Sequence, residues 1–251
     1  MKAENFNLDE YLSRIDFKGT PKADLPTLFE LMRRQLRSIP MENITVQKGQ
    51  IPSLVPEDIV TKILKDKRGG YCYEINGIFA MALTAIGFEW YFAAARPMFY
   101  PVKRPKTHMI IIVDLLGEKW LCDAGFGGYA LREPLRLSEN AEVSQDDDKY
   151  RIELDKQSGE YVISSLVVNE WQKLYGFTDM PQEWIEFSLA NYFNATHSDT
   201  IFTQKKLAII QTDNGRKILI NDELKLIENG VLTKIEIPYE QALKEHFGLS
   251  F

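Results

Sequence analysis

The chain has 251 residues, 45% of them hydrophobic, which is enough to bury a sizeable core in one compact protein of two or three subdomains. Its 30 basic and 36 acidic side chains give a formal net charge of −6 with no basic stripe, which argues against nucleic acid as a partner. No apolar run approaches a membrane span, and Met1-Lys2-Ala3-Glu4-Asn5-Phe6 is not an apolar signal segment, so no membrane partner is expected and the cytoplasm is the expected compartment.

Helical patterns fill the first third. Leu8, Tyr11, Leu12 and Ile15 mark one helix, and Leu28, Leu31 and Met32 mark a second that runs to Ser38. Pro56 starts a third with Ile59, Val60 and Ile63. A fourth begins at Cys72, where Ile75, Ile78, Phe79, Ala82, Leu83 and Ile86 recur at helical spacing before Gly87. The middle reads as strands, from about Trp90 through an apolar hairpin to Tyr161-Val162-Ile163. The run Asp146-Asp147-Asp148 reads as a solvated loop tip. A helix is expected from Trp184 to Phe193, then strands near Ala208-Ile209-Ile210, Lys217 to Ile220 and Glu223 to Ile227, and a last helix from Tyr239 to Phe247. There is no internal repeat and no low-complexity linker.

Within this frame Arg68-Gly69-Gly70-Tyr71-Cys72-Tyr73-Glu74-Ile75-Asn76 carries the most information. Two glycines deliver a thiol to the first turn of a helix, where unpaired N–H groups and the positive end of the macrodipole stabilise negative charge. A cysteine on an apolar helix face is usually only a small core residue. Here the Gly-Gly pair and the available partners favour a nucleophile.

A thiolate nucleophile needs a base, and the base an orienter. His108 opens the β-branched run Thr107-His108-Met109-Ile110-Ile111-Ile112-Val113, and Lys119-Trp120-Leu121-Cys122-Asp123 reads as the return strand. A loop of two or four residues near Leu115-Leu116-Gly117-Glu118 puts His108 opposite Asp123 or Gly125, on the face of Asp123 in both cases. An odd-length loop with a bulge changes that register. His197 and His246 lie in polar stretches and read as surface residues. The chemistry then assigns attack on a carbonyl to Cys72, proton transfer to His108, and control of the imidazole tautomer to Asp123.

A soft metal site from Cys72, His108, Cys122 and Asp123 is not expected, because Cys122 and Asp123 are adjacent on a strand and point to opposite faces. Parity places Cys122 in the core, and with no other mark of an exported chain a disulfide to Cys72 is not expected. The turn Gly125-Phe126-Gly127-Gly128 offers backbone N–H groups for an anion and presents Phe126 toward a ring, although a glycine-rich turn after a strand is usually only a turn. Lys103, Arg104 and Lys106 are nearby basic groups for the same anion, although loop lysines are usually just solvated. Arg96-Pro97-Met98-Phe99-Tyr100 reads as aromatic surface near the barrel entrance, with ordinary core packing the expectation for Phe99 itself.

The sequence resembles the arylamine N-acetyltransferases. Besides the cysteine segment, the resemblance rests on Tyr11-Leu12-Ser13-Arg14-Ile15, Pro26-Thr27-Leu28, Ile39-Pro40-Met41-Glu42-Asn43, Thr107-His108-Met109 and Cys122-Asp123-Ala124-Gly125-Phe126-Gly127-Gly128, in the family's order over the first half of the chain. It implies an α+β fold in three parts: a helical lobe carrying the nucleophile (1–87), a central β-barrel carrying the histidine and aspartate (88–180), and a linker helix with a short α/β lid (181–251). The cysteine triad would be arranged as in papain-like enzymes. The implied activity is an acyltransferase reaction of xenobiotic metabolism. Acetyl-CoA is the co-substrate, the cycle is ping-pong through acetyl-Cys72, and the acceptor is an arylamine, arylhydrazine or N-hydroxyarylamine. Met41, Phe126, Gly127 and Gly128 would bind substrate or coenzyme, and Arg68 and Glu42 would form an ion pair supporting the cysteine loop.

The chain departs from the family pattern at Met41, where phenylalanine is usual, at Ile75, where leucine is usual, and in Asn194 to Phe202, where a proline is missing. It also ends early for the family, which leads one to expect a more open cleft. Three other readings compete. They are an amide synthase that closes macrolactams within the same superfamily, a papain-like cysteine protease lacking the usual signature around its cysteine, and a non-catalytic binding module.

Overall fold

The computed structural model describes residues 1–249. Helix α1 (Leu8–Arg14) begins where the Asn7 side chain accepts from the Glu10 N–H, and α2 (Leu25–Ser38) where Asp24 accepts from the Thr27 N–H. After the short strand β1 (Met41–Glu42) and the single turn α3 (Ile44–Gln47), α4 (Pro56–Val60) passes without a break into a π-type turn over Thr61–Lys65. Helix α5 (Cys72–Ile86) ends at Gly87, whose φ of +97° is left-handed. Every residue of α5 from Cys72 to Leu83 is buried, so the single apolar stripe read from the sequence understates its packing. Helices α1 and α4 and the sheet that follows all press on it.

Eight antiparallel strands form the first sheet: β2 (Glu89–Pro97), β3 (His108–Leu115), β4 (Glu118–Cys122), β5 (Leu135–Arg136), β6 (Asn140–Gln145), β7 (Asp148–Asp155), β8 (Glu160–Val167) and β9 (Glu170–Phe177). Their order is β5-β4-β3-β2-β9-β8-β7-β6. The expected barrel is therefore an open, curled sheet, with no ladder between β5 and β6. Pro134, directly ahead of β5, removes a backbone donor, and one side chain bridges the edges instead. The Gln145 amide oxygen accepts from the Arg132 N–H at 2.9 Å, and its NH₂ donates to the Glu133 carbonyl at 3.0 Å.

A 3₁₀ turn (Trp184–Glu186) leads into α6 (Phe187–Thr196), followed by the turn α7 (Ile201–Gln204). The second sheet has the order β1-β10-β11-β12-β13 and comprises β1 with β10 (Leu207–Thr212), β11 (Gly215–Ile220), β12 (Glu223–Glu228) and β13 (Val231–Glu236). Helix α8 (Tyr239–Phe247) packs on β10 and β11. Strand β1 pairs Met41 with Ile209 and also bridges Gly70, which ties the second sheet to the loop before Cys72. Strand β13 was not expected. Five of its six residues are exposed, so no alternation of polar and apolar residues reveals it.

The acidic run is the exposed turn between β6 and β7, as expected, but two of its carboxylates are paired with arginines. Asp146 accepts from Arg33 of α2 at 2.5 Å, and Asp148 is held by the buried Arg132 and Arg216, the latter from β11. The run thus joins α2, both sheets and the loop ahead of β5. Among the described residues, no helix is long and apolar enough to cross a membrane.

Candidate active site

Cys72 is the first residue of α5 and is 3% exposed. The chain reaches it through a set of alternating charges. Arg68 donates to Glu42 through Nε at 3.1 Å and Nη2 at 2.7 Å, and the other Glu42 oxygen accepts from the Ile44 N–H at 2.7 Å. Lys62, carried on the π-type turn, donates to Glu74 at 2.7 Å and lies 3.9 Å from Glu42. The second Glu74 oxygen accepts from the Tyr71 N–H at 3.1 Å and so caps α5 just ahead of Cys72. Burial pushes the Glu74 carboxyl up, against the opposing pull of the Lys62 ammonium.

Close approach explains the glycines here. A Cβ on Gly69 would lie 1.9 Å from the Pro40 carbonyl oxygen, and one on Gly125 would lie 2.7 Å from the Cys72 Cα.

Strands β3 and β4 are joined by the two-residue turn Leu116-Gly117, both residues at positive φ, with Leu115 opposite Glu118 and Ile111 opposite Cys122. Continued three residues past the ladder, this register sets His108 across from Gly125, one of the two alternatives read from the sequence. The His108 Nε2 meets Asp123 Oδ2 at 2.7 Å, and the imidazole and Cys72 line the same cavity. Burial opposes the imidazolium, but the Asp123 carboxylate and the Cys72 sulfur outweigh it, and His108 is pushed up to about 10. Burial would likewise raise Asp123, yet the His108 charge and the hydrogen bonds from His108, Asn76 and the Gly125 N–H hold it below the usual carboxylate range.

Cys122 is buried behind this group, and burial pushes its thiol well up. Both cysteines are free. Among the described residues there is no cluster of three or more histidine, cysteine or acidic side chains that could hold a metal.

Above Cys72 and His108 opens a cavity of about 350 Å³. Its lining brings in Met41, Phe126, Gly127 and Gly128, four residues expected to contact substrate or coenzyme. Phe126 packs 5.0 Å from the His108 ring. Phe99 is a correction: it is 50% exposed at the cavity mouth and not in the core. Its ring lies tilted 4.4 Å from that of Tyr100, in the segment that leaves the sheet after β2.

In the glycine turn the Gly125 N–H donates to Asp123 at 3.0 Å, and the Gly128 carbonyl accepts from Arg216 at 3.0 Å. Of the three basic loop residues, Arg104 lines the cavity, 4.3 Å over the Tyr100 ring and bonded to the Asp199 carbonyl at 3.0 Å. Lys106 is taken by Thr178 at 2.9 Å, and Lys103 is exposed.

Sequence reasoning missed two contributors. Asn76 donates to the Met109 carbonyl at 2.7 Å and to Asp123 at 3.1 Å, and accepts from the Ala124 N–H at 3.0 Å. A polar residue four positions after Cys72, on the same helical face, was the available signal. Lys62 gave none, because one lysine in an amphipathic helix looks like any solvated one.

The chain is similar to known proteins in sequence and in fold. A family model described as N-acetyltransferase matches residues 24–251. Arylamine N-acetyltransferase 2 of Mus musculus is 30% identical over 275 residues, covering 97% of this chain and 94% of that protein. The structure of the arylamine N-acetyltransferase from Mycobacterium abscessus superposes with a TM-score of 0.91 at 30% identity, covering 99% of this chain and 91% of that one. The Mycobacterium marinum arylamine N-acetyltransferase in complex with CoA gives 0.90 at 28% identity, covering 96% and 92%. The chain belongs to the arylamine N-acetyltransferase family, and it is an acyltransferase.

Proposed function

We propose that the protein transfers an acetyl group from acetyl-CoA to the nitrogen of an aromatic amine, hydrazine or N-hydroxyarylamine, in a ping-pong cycle through acetyl-Cys72. The observation that carries this reading is the His108–Asp123 hydrogen bond at the floor of the cavity that Cys72 and His108 line together. In the first half-reaction His108 takes the Cys72 proton. The thiolate attacks the thioester carbonyl, and CoA leaves with the proton that His108 held. The amine nitrogen then attacks the acetyl carbon of acetyl-Cys72. His108 takes the proton the amine loses, and the Cys72 thiolate departs. Asp123 holds the imidazole orientation and its cation through both halves.

The cavity fits the reacting ends of both substrates: an acyl thioester beside Cys72, and an aromatic ring between Met41, Phe99, Tyr100 and Phe126. Gly127, Gly128 and the Arg104 guanidinium lie on the coenzyme's way in. The chain works in three parts: 1–87 supplies the nucleophile, 88–180 the base and its orienter, and 181–251 covers the cleft.

Initial rates with acetyl-CoA and an aniline at varied concentrations test the cycle. Parallel double-reciprocal lines are expected, with Cys72→Ser inactive. Intersecting lines, or near-normal activity in Cys72→Ser, would overturn the acetyl-enzyme.

A further inference from the structure

The residue after Cys72 and the residue before His108 are joined directly. Tyr73 reaches from α5 to donate its hydroxyl to the Thr107 carbonyl at 2.8 Å. The same carbonyl receives a second donor from α6, the Asn194 NH₂, at 2.8 Å, and that NH₂ also lies 3.3 Å from the Tyr73 hydroxyl. The ladder between β2 and β3 ends at Ala95 opposite His108, so Thr107 lies beyond the regular pairing and its carbonyl is satisfied by side chains. Tyr73 is fully buried, and Asn194 and Thr107 nearly so, which leaves water no ready way to replace a lost donor. Burial pushes the Tyr73 phenol well above its usual range, so it remains a neutral donor. Asn194 is itself fixed from behind, since Thr200 Oγ1 donates to its carbonyl at 2.9 Å.

We infer that Tyr73 and Asn194 are positioning residues that clamp the Thr107 peptide and thereby set the distance between the Cys72 sulfur and the His108 imidazole. The Asp123 end of the imidazole is held by Asp123 and, through it, by Asn76. The Thr107 clamp fixes the backbone from which the ring hangs, and it does so from α5 and α6 at the residue that leads into β3. One donor alone still holds the carbonyl, whereas removing both frees it. The two residues are therefore synergistic. The inference deepens the proposed function and rests on it for the roles of Cys72 and His108.

The test uses Tyr73→Phe, Asn194→Leu and the double variant of the full chain. The primary readout is the rate of Cys72 alkylation by iodoacetamide across pH, which needs no acyl donor and so separates a failure of this inference from a failure of the acetyl-transfer reading. Each single variant is expected to slow alkylation near neutral pH about 3- to 10-fold and to move the profile to higher pH. The double variant should lose more than the product of the two, on the order of 100-fold or more, while the KM for the acceptor stays within about twofold. Alkylation profiles unchanged in both singles, with only the melting temperature lowered, would overturn the inference. So would a double variant no worse than the product of the singles. If the double variant does not fold, the pH profiles of the two singles decide.

Discussion

At the floor of the cleft, Cys72, His108, Asp123 and Asn76 lie together and none is more than 4% exposed, whereas at its mouth Phe99 is half exposed and Arg104 lies over Tyr100. The floor is polar and hydrogen-bonded in nearly every direction, and it is assembled from α5, β3 and the turn after β4. The mouth is apolar and contributed by distant segments, among them β1, the stretch after β2 and the second sheet. The difference separates two tasks. Proton transfer demands fixed distances, which buried hydrogen bonds supply. Acceptance of a flat apolar substrate demands only area, which loosely packed aromatic side chains supply.

If this division holds, damage at the floor should abolish chemistry, and damage at the mouth should alter binding. The largest loss is expected for Asp123→Asn, which keeps the shape but presents the wrong group to the imidazole. Acetyl transfer should fall about 10³- to 10⁴-fold with the circular dichroism spectrum intact. Gly125→Ala tests the close approach of the turn to the nucleophile. Its Cβ would meet the Cys72 Cα at 2.7 Å, and the displaced helix start should cost about 10²-fold in the rate of Cys72 acylation. Lys62→Met leaves Glu74 and Glu42 without a shared cation, and urea denaturation should show a loss of roughly 3 kcal/mol.

The His108–Asp123 pair makes a prediction about pH. His108 is raised from its ordinary value of 6.5 to about 10 in the folded protein, so the native state holds that proton where the unfolded chain has released it. The stabilisation is complete below about 6.5 and is lost as pH rises toward 10. Asp123, whose carboxyl is lowered, contributes in the opposite direction, above the unfolded carboxylate range, and its share is lost on acidification. Denaturation curves at successive pH values should therefore show wild type losing more stability between pH 6.5 and 10 than His108→Gln, and equal slopes would contradict the charged pair.

The smallest effect is expected at the mouth. Phe99→Ala should raise the KM of an aromatic acceptor about 3-fold and leave the acetylation of Cys72 unchanged.

The same division explains what could be read without a structure. Cys72, His108 and Asp123 announce themselves because each sits in a local pattern with a chemical meaning: a glycine pair before a helix, the head of an apolar strand, and the end of its return strand. The two-residue turn fixed their register, and alternation alone was sufficient to pair them. Residues that act across elements left no such mark. Asn194 lies 86 residues from His108 in sequence, and nothing near it points to the Thr107 carbonyl. Asp146 and Asp148 read as solvent-facing because their arginine partners come from α2, β11 and the loop before β5. Phe99 read as core because an aromatic residue beside strand residues usually is. Strand β13 was invisible because an edge strand exposed on both faces has no periodicity to read.

The most direct test of the central claim is intact-protein mass spectrometry of the enzyme mixed with acetyl-CoA in the absence of acceptor, followed by peptide mapping and then addition of an aromatic amine. The account predicts a single acetyl group on Cys72 that disappears as the amide forms. A folded, reduced protein that takes up no acetyl group, or takes it up on a residue other than Cys72, would contradict it.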